Sequence, residues 1–205
     1  MINNVAATRS VQQPGPVSQI GSIVYVSFTA EIIPSTTEAL LRTMSDLTNQ
    51  GAKTVHLLLS TLGGSVMHGM TLYNTLRALP LKLITHNVGS VNSIGNVVFL
   101  AGEERYSCPN ATFMFHGVGF DVPQGVRFEE KLLRERLDAL TADQARIAKV
   151  LEERGSFTDT GEIRGLFLEA VTKDPGYAKA KGLIHDIRDV RIPTGAPVVQ
   201  LVFQR

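Results

Sequence analysis

Apolar and polar positions along the chain follow two alternating periods. Ser22-Ile23-Val24-Tyr25-Val26-Ser27-Phe28 is a β-branched run that predicts a strand. The stretch after it predicts a helix to about Gln50, opened by Ser35 and Glu38 as a capping box and ended by Gly51. Val55 to Leu59 predicts a second strand, which turns through Ser60-Thr61-Leu62-Gly63-Gly64-Ser65 into a helical pattern from Val66 to Tyr73. The motif then recurs: Leu81 to Val88 predicts a strand, Gly89 to Gly95 a turn, and Asn96 to Ala101 a helix. Arg105 to Cys108 and Thr112 to His116 are two short strand patterns separated by the turn signal Pro109-Asn110. Alternating strands and helices predict an α/β fold with a mostly parallel sheet.

Further on, Leu133, Leu137, Leu140, Ile147 and Leu151 recur at helical spacing between charged residues, which predicts one long helix from about Arg127 to Arg154. A stripe of this kind ordinarily packs on its own core; a helix this long can also project and meet another subunit. Shorter helices are predicted over about Glu162 to Thr172 and Tyr177 to Lys181, and a last strand over Val198 to Phe203.

Composition narrows the picture. The 205 residues fit one domain, 22–205, preceded by a polar, Gly/Pro-punctuated arm over 1–21 that is expected to have no fixed structure of its own. With 43% hydrophobic and 19% charged residues the chain can bury a normal core, and a net charge of +1 gives no reason to expect nucleic acid or a membrane as partner. Cys108 stands alone, so no internal disulfide forms; it is expected as a small core residue in a reducing, cytoplasmic setting. No leader pattern or bilayer-length apolar run is present. The five histidines are scattered without metal-ligand spacing, and no phosphate-binding glycine motif occurs, so no metal or other cofactor is expected.

The two Gly-rich turns carry the candidate chemistry. Glycine lets the backbone approach a ligand closely, and a helix start leaves N–H donors free. Two such turns side by side would form a pocket for a carboxylate, a phosphate or the oxyanion of an acyl-transfer intermediate. Ser93 stands where the second helix begins, a position that suits simple capping as well as a nucleophile. It is not in a G-x-S-x-G elbow, because Val91 occupies the first glycine position.

At this point the residues become recognisable. Gly63-Gly64-Ser65-Val66, Gly69-Met70, Tyr73-Asn74-Thr75, Gly89-x-x-x-Ser93-x-Gly95, Ala101-Gly102, Cys108-x-Asn110 and Phe113-Met114-Phe115-His116 together resemble the ClpP family, the proteolytic subunit of the Clp protease. The resemblance spans roughly Ile23 to Ile187. It implies a ClpP/crotonase-like spiral of ββα units with a long projecting helix, and a serine endopeptidase that cleaves unfolded polypeptides through an acyl-enzyme. On that resemblance Ser93 matches the nucleophile, His116 the general base, and the N–H groups of Gly64 and Ile94 the oxyanion hole. An extended substrate is expected to pair with Gly117, Val118, Gly119 and Phe120, with Pro123 ending the ladder.

Stacked homo-oligomeric rings are implied, with the long helix and the segment 117–125 at the contact between rings, together with a Clp-type ATPase unfoldase as partner. The chain departs from the family pattern at Leu62, where a Pro is usual, and at Gly117-Val118, where Gln-Pro is usual. The third triad member is also out of register: Leu166 falls where an Asp is expected, and Glu169 or Glu162 are the nearest carboxylates able to replace it. Two other readings follow from this gap and from the shared architecture, a catalytically weak ring subunit and a crotonase-type acyl-CoA enzyme.

Overall fold

The computed structural model describes residues 21–203 except 123 and 126. The arm expected over 1–21 therefore lies outside the described residues apart from Gly21. In chain order the elements are β1 (Ile23–Thr29), α1 (Pro34–Asn49), β2 (Thr54–Thr61), α2 (Val66–Ala78), β3 (Lys82–Asn92), α3 (Gly95–Phe99), β4 (Glu104–Ser107) and β5 (Thr112–Met114). They continue with α4 (Glu130–Arg154), α5 (Thr160–Glu169), β6 (Thr172–Lys173), α6 (Pro175–Ala180), β7 (Asp186–Ile187) and β8 (Val198–Gln200).

One sheet holds the strands in the order β6-β5-β3-β2-β1-β8, and every pairing is parallel except β5 with β6. On the side away from β2, the long β3 serves two neighbours. Its first half pairs with β4, from Ile84 opposite Glu104 to Asn87 opposite Ser107. Its second half pairs with β5, from Ser90 opposite Thr112 to Asn92 opposite Met114. Because one strand carries two partners in succession the sheet steps sideways, which is how the ββα units wind as a spiral. The apolar runs read as strands fill the centre: Val24, Val26, Phe28, Leu57, Leu59 and Phe113 are buried, covered by Leu40 and Met44 of α1 and by Leu72 and Leu76 of α2. Each such fully buried side chain stabilises the fold by about 1.5–3 kcal/mol.

Several local expectations need correction. Ser35 does not cap α1, because Pro34 already occupies the first helical turn; the Thr36 hydroxyl instead accepts the Ile33 N–H at 3.1 Å. The strand read over Leu81 to Val88 runs on to Asn92, so the turn is confined to Ser93 and Ile94. The long helix starts at Glu130, and Cys108 is half-buried at a turn between β4 and β5 where a core position was expected.

The apolar stripe of α4 is only partly covered. Ile147, Ala148, Val150 and Leu151 are buried, whereas Leu133 and Leu137 are 51% and 62% exposed. Ion pairs such as Glu130–Arg134 lie along the exposed turns, where each adds only a few tenths of a kcal/mol. The first half of the helix thus projects, and the ordinary reading of the stripe as a packed face holds for the second half alone. A buried arginine ties the packed half down: Arg105 donates to Leu183 O at 2.7 Å, Gly182 O at 3.0 Å and Arg154 O at 3.1 Å. Burial pushes its pKa down to about 10, so it stays charged and each carbonyl bond is charge-assisted.

Candidate active site

At the end of β3 the chain reverses through Ser93 with φ +56°, a left-handed conformation uncommon in a residue with a side chain. Strain of this kind persists only where neighbours over-determine it. Here the Ser93 N–H donates to Met114 O at 2.8 Å, and the Asn96 side-chain amide donates to both Ser93 O at 3.0 Å and Met114 O at 2.9 Å. The start of α3 has no side-chain cap, so among the described residues the Ser93 hydroxyl does not do the capping that its position allowed.

The first turn lies directly against this one. A Cβ added at Gly63 would stand 2.8 Å from both Asn92 O and Ser93 Cβ, so only glycine lets the two turns touch. Gly64 has φ +141°, and a Cβ there would meet Ile32 O at 2.4 Å. The cause is a parallel bridge in which Ile32 N–H donates to Gly63 O at 2.7 Å and Ser65 N–H donates to Ile32 O at 2.9 Å. That bridge uses the groups on either side of Gly64 and leaves the Gly64 N–H without a protein acceptor among the described residues. The Ile94 N–H is likewise without one. α2 packs close behind, since a Cβ at Gly69 would stand 2.2 Å from Ile94 Cγ1.

His116 follows β5 by two residues and is held on both sides: Phe115 N–H donates to Val171 O at 2.9 Å and Gly117 N–H donates to Phe167 O at 3.0 Å. Its Nδ1 lies 2.6 Å from Gly117 O. A carbonyl can only accept, so in this contact Nδ1 carries the proton and the neutral ring keeps its lone pair on Nε2. No carboxylate bonds to His116 among the described residues. Glu162 is engaged with Lys181 and with both the N–H and the hydroxyl of Thr158 at 3.1 Å, and the Lys181 ammonium holds its carboxyl below the usual range. Glu169 is exposed at the end of α5, and Leu166 is buried in the core.

A Clp protease family profile matches residues 14–189. The chain belongs to the Clp protease family. Among solved structures it is similar to a ClpP1 point mutant from Listeria monocytogenes, with 20% sequence identity, a TM-score of 0.71, and coverage of 82% of this chain and 92% of that one. That likeness bears on the fold, which is of the ClpP/crotonase kind.

The family's turns thus meet in space around Ser93, but the segment 117–120 forms no strand; it runs as an open connection with Gly119 and Phe120 exposed, Phe120 under the Arg136 guanidinium at 5.7 Å. Pro123 lies outside the described residues. The reading of single residues missed three features. Gly63 is the contact point with Ser93, for which the doubled glycine was the signal. The His116–Gly117 carbonyl contact has no sequence signal. A Ser65–His68 hydrogen bond of 2.9 Å at the start of α2 is foreshadowed only by the i, i+3 spacing. Among the described residues no cluster of three or more His, Cys, Asp or Glu could hold a metal ion, and no helix is long and apolar enough to cross a membrane.

Proposed function

We propose that this protein is a Clp-type serine endopeptidase acting on unfolded polypeptides, with Ser93 as nucleophile and His116 as general base. The observation that carries the reading is the left-handed Ser93 held against Gly63, beside two N–H groups, of Gly64 and Ile94, that have no acceptor. In this mechanism His116 Nε2 takes the Ser93 proton as Oγ attacks the scissile carbonyl. The developing oxyanion accepts from Gly64 and Ile94, and the imidazolium then protonates the leaving amine before water resolves the acyl-enzyme. The substrate backbone pairs along the open segment 117–120, chiefly with Val118, Gly119 and Phe120 because both backbone groups of Gly117 are already engaged, and this suits many sequences because side chains are not read.

The Gly117 carbonyl orients His116 in place of a carboxylate. It fixes the tautomer yet offers no full charge to the imidazolium, so turnover is expected below that of a triad with its acid by about 10³–10⁴. This favours the slower form of the reading, a weak catalyst within a ring. The exposed first half of α4 suits the contact between stacked rings of identical subunits, with a Clp-type ATPase feeding substrate in the cytoplasm.

The test is an active-site probe. A fluorophosphonate or β-lactone should label Ser93, and labelling should vanish in Ser93→Ala and fall sharply in His116→Ala. An assembled, folded protein that takes up no probe at Ser93 would sink the proposal.

A further inference from the structure

The apolar stripe of α4 has one polar interruption. Leu133, Leu137, Leu140, Ile147 and Leu151 follow one another at alternating steps of four and three, except for a gap between Leu140 and Ile147, and the residue that fills the gap in register is Gln144. A helix repeats at these steps the side chains of a single face, so this carboxamide stands on the face turned to the body and not on the charged back. Burial rises along the series, from the exposed Leu133 and Leu137 through the half-buried Leu140 and Gln144 to the buried Ile147 and Leu151. Gln144 therefore lies where the projecting half of α4 meets the rest of the chain.

What it meets there is the residue next to His116. A Cβ added at Gly117 would stand 3.3 Å from Gln144 Nε2, so the bare Cα of Gly117 leaves the amide its place. Gly117 is itself fixed, with its N–H donating to Phe167 O at 3.0 Å and its O lying 2.6 Å from His116 Nδ1. Both backbone groups of Gly117 are thus used, and the Gln144 carboxamide makes no hydrogen bond among the described residues. Neither of its polar atoms is shut off from solvent, so a bound peptide can reach both.

We infer that Gln144 is a specificity-determining residue: its carboxamide reads the substrate side chain beside the scissile bond and selects asparagine or glutamine there. The inference rests on the reading of Ser93 and His116 as a peptidase site and deepens it. Backbone pairing along 117–120 is indifferent to sequence, and Gln144 adds one point at which a side chain is read. A carboxamide presents a donor and an acceptor side by side, and a second carboxamide matches both in a reciprocal pair. A charged side chain gains no counter-charge from a neutral amide and loses water on approaching it. The charged neighbours on α4, Asp143 and Arg146, are engaged with each other. An aliphatic side chain leaves the amide unpaired once the peptide excludes water.

The test digests a random decapeptide library with the full-length assembled protein and reads the cut sites by mass spectrometry. At one of the two positions flanking the cut, asparagine and glutamine should be enriched about fivefold or more over leucine and methionine. Gln144→Met keeps the length of the side chain and should replace that enrichment by one for leucine and methionine. Gln144→Glu should move it to lysine and arginine at the same position, a change that a structural role would not produce. Both variants should keep the melting temperature and the fluorophosphonate labelling of Ser93, so that the readout is selection and not loss of the site. Labelling of Ser93 without enrichment of amide side chains, or the same enrichment in Gln144→Met, overturns this inference and leaves the peptidase reading standing. Neither labelling nor cleavage by the assembled wild-type protein overturns both.

Discussion

Two glycines that the sequence treats alike are separated by their surroundings. Gly64, at φ +141° and with Ile32 O in the space of a Cβ, tolerates no side chain, while a Cβ at Gly119 meets nothing within 4 Å. Gly64→Ala is therefore expected to cost about 2–4 kcal/mol through strain and a displaced β1–α1 connection. Gly119→Ala should sit near zero, and paired urea titrations would show the contrast. His86 gives a second prediction at this scale. Burial, then the charges of His56 and Arg188, push it from 6.5 down to about 4, with Glu104 opposing. The folded state therefore resists a proton that the unfolded chain accepts, so stability is full above pH 6.5 and falls as pH drops from 6.5 toward about 4. Lys82 and Tyr106 also face the pair but change charge only at higher pH. The loss should shrink in His86→Phe; identical acid slopes in the two proteins would refute it.

Among the elements, α4 and the segment after β5 are the ones whose roles an experiment can separate. Leu133 and Leu137, 51% and 62% exposed, make little packing contribution within one chain, so the double substitution Leu133→Glu, Leu137→Glu should leave urea stability within about 0.5 kcal/mol. Sedimentation of the same variant should show dissociation if this face joins subunits; an intact assembly would place the contact elsewhere. Val118→Pro removes an N–H from the edge at 117–120. It should raise KM severalfold or more for peptides while Ser93 still reacts with a small fluorophosphonate. Unchanged peptide kinetics would show that substrate pairs with another edge.

For the molecule as a whole, the acid expected from the family resemblance becomes a comparison between remote parts of the fold. Glu162 ties α5 to Lys181 beyond α6, and Glu169 is exposed, so neither is arranged to hold the imidazole. Glu169→Gln and Glu162→Gln should both keep kcat within a few-fold of wild type. A loss on the order of a thousandfold in either would show that a carboxylate reaches His116 in the working assembly.

The elements were largely written in local pattern: a β-branched run set β1, an apolar run set β2, the doubled glycine marked the first turn, and the charged apolar stripe marked α4, because period and turn chemistry are properties of neighbouring residues. Family membership was legible for the same reason, through ordered short motifs. What local pattern could not contain is which groups remain unpaired after packing. That Ser93 is left-handed follows from Met114 and Asn96, the free N–H of Gly64 from its bridge to Ile32, and the tautomer of His116 from the next carbonyl along a chain clamped by α5. The five scattered histidines held no metal spacing, yet parallel pairing of β2 with β3 brought His56 and His86 into contact. Register between strands distant in sequence is fixed by burial of the whole sheet, and so only the tertiary structure decided which side chains meet.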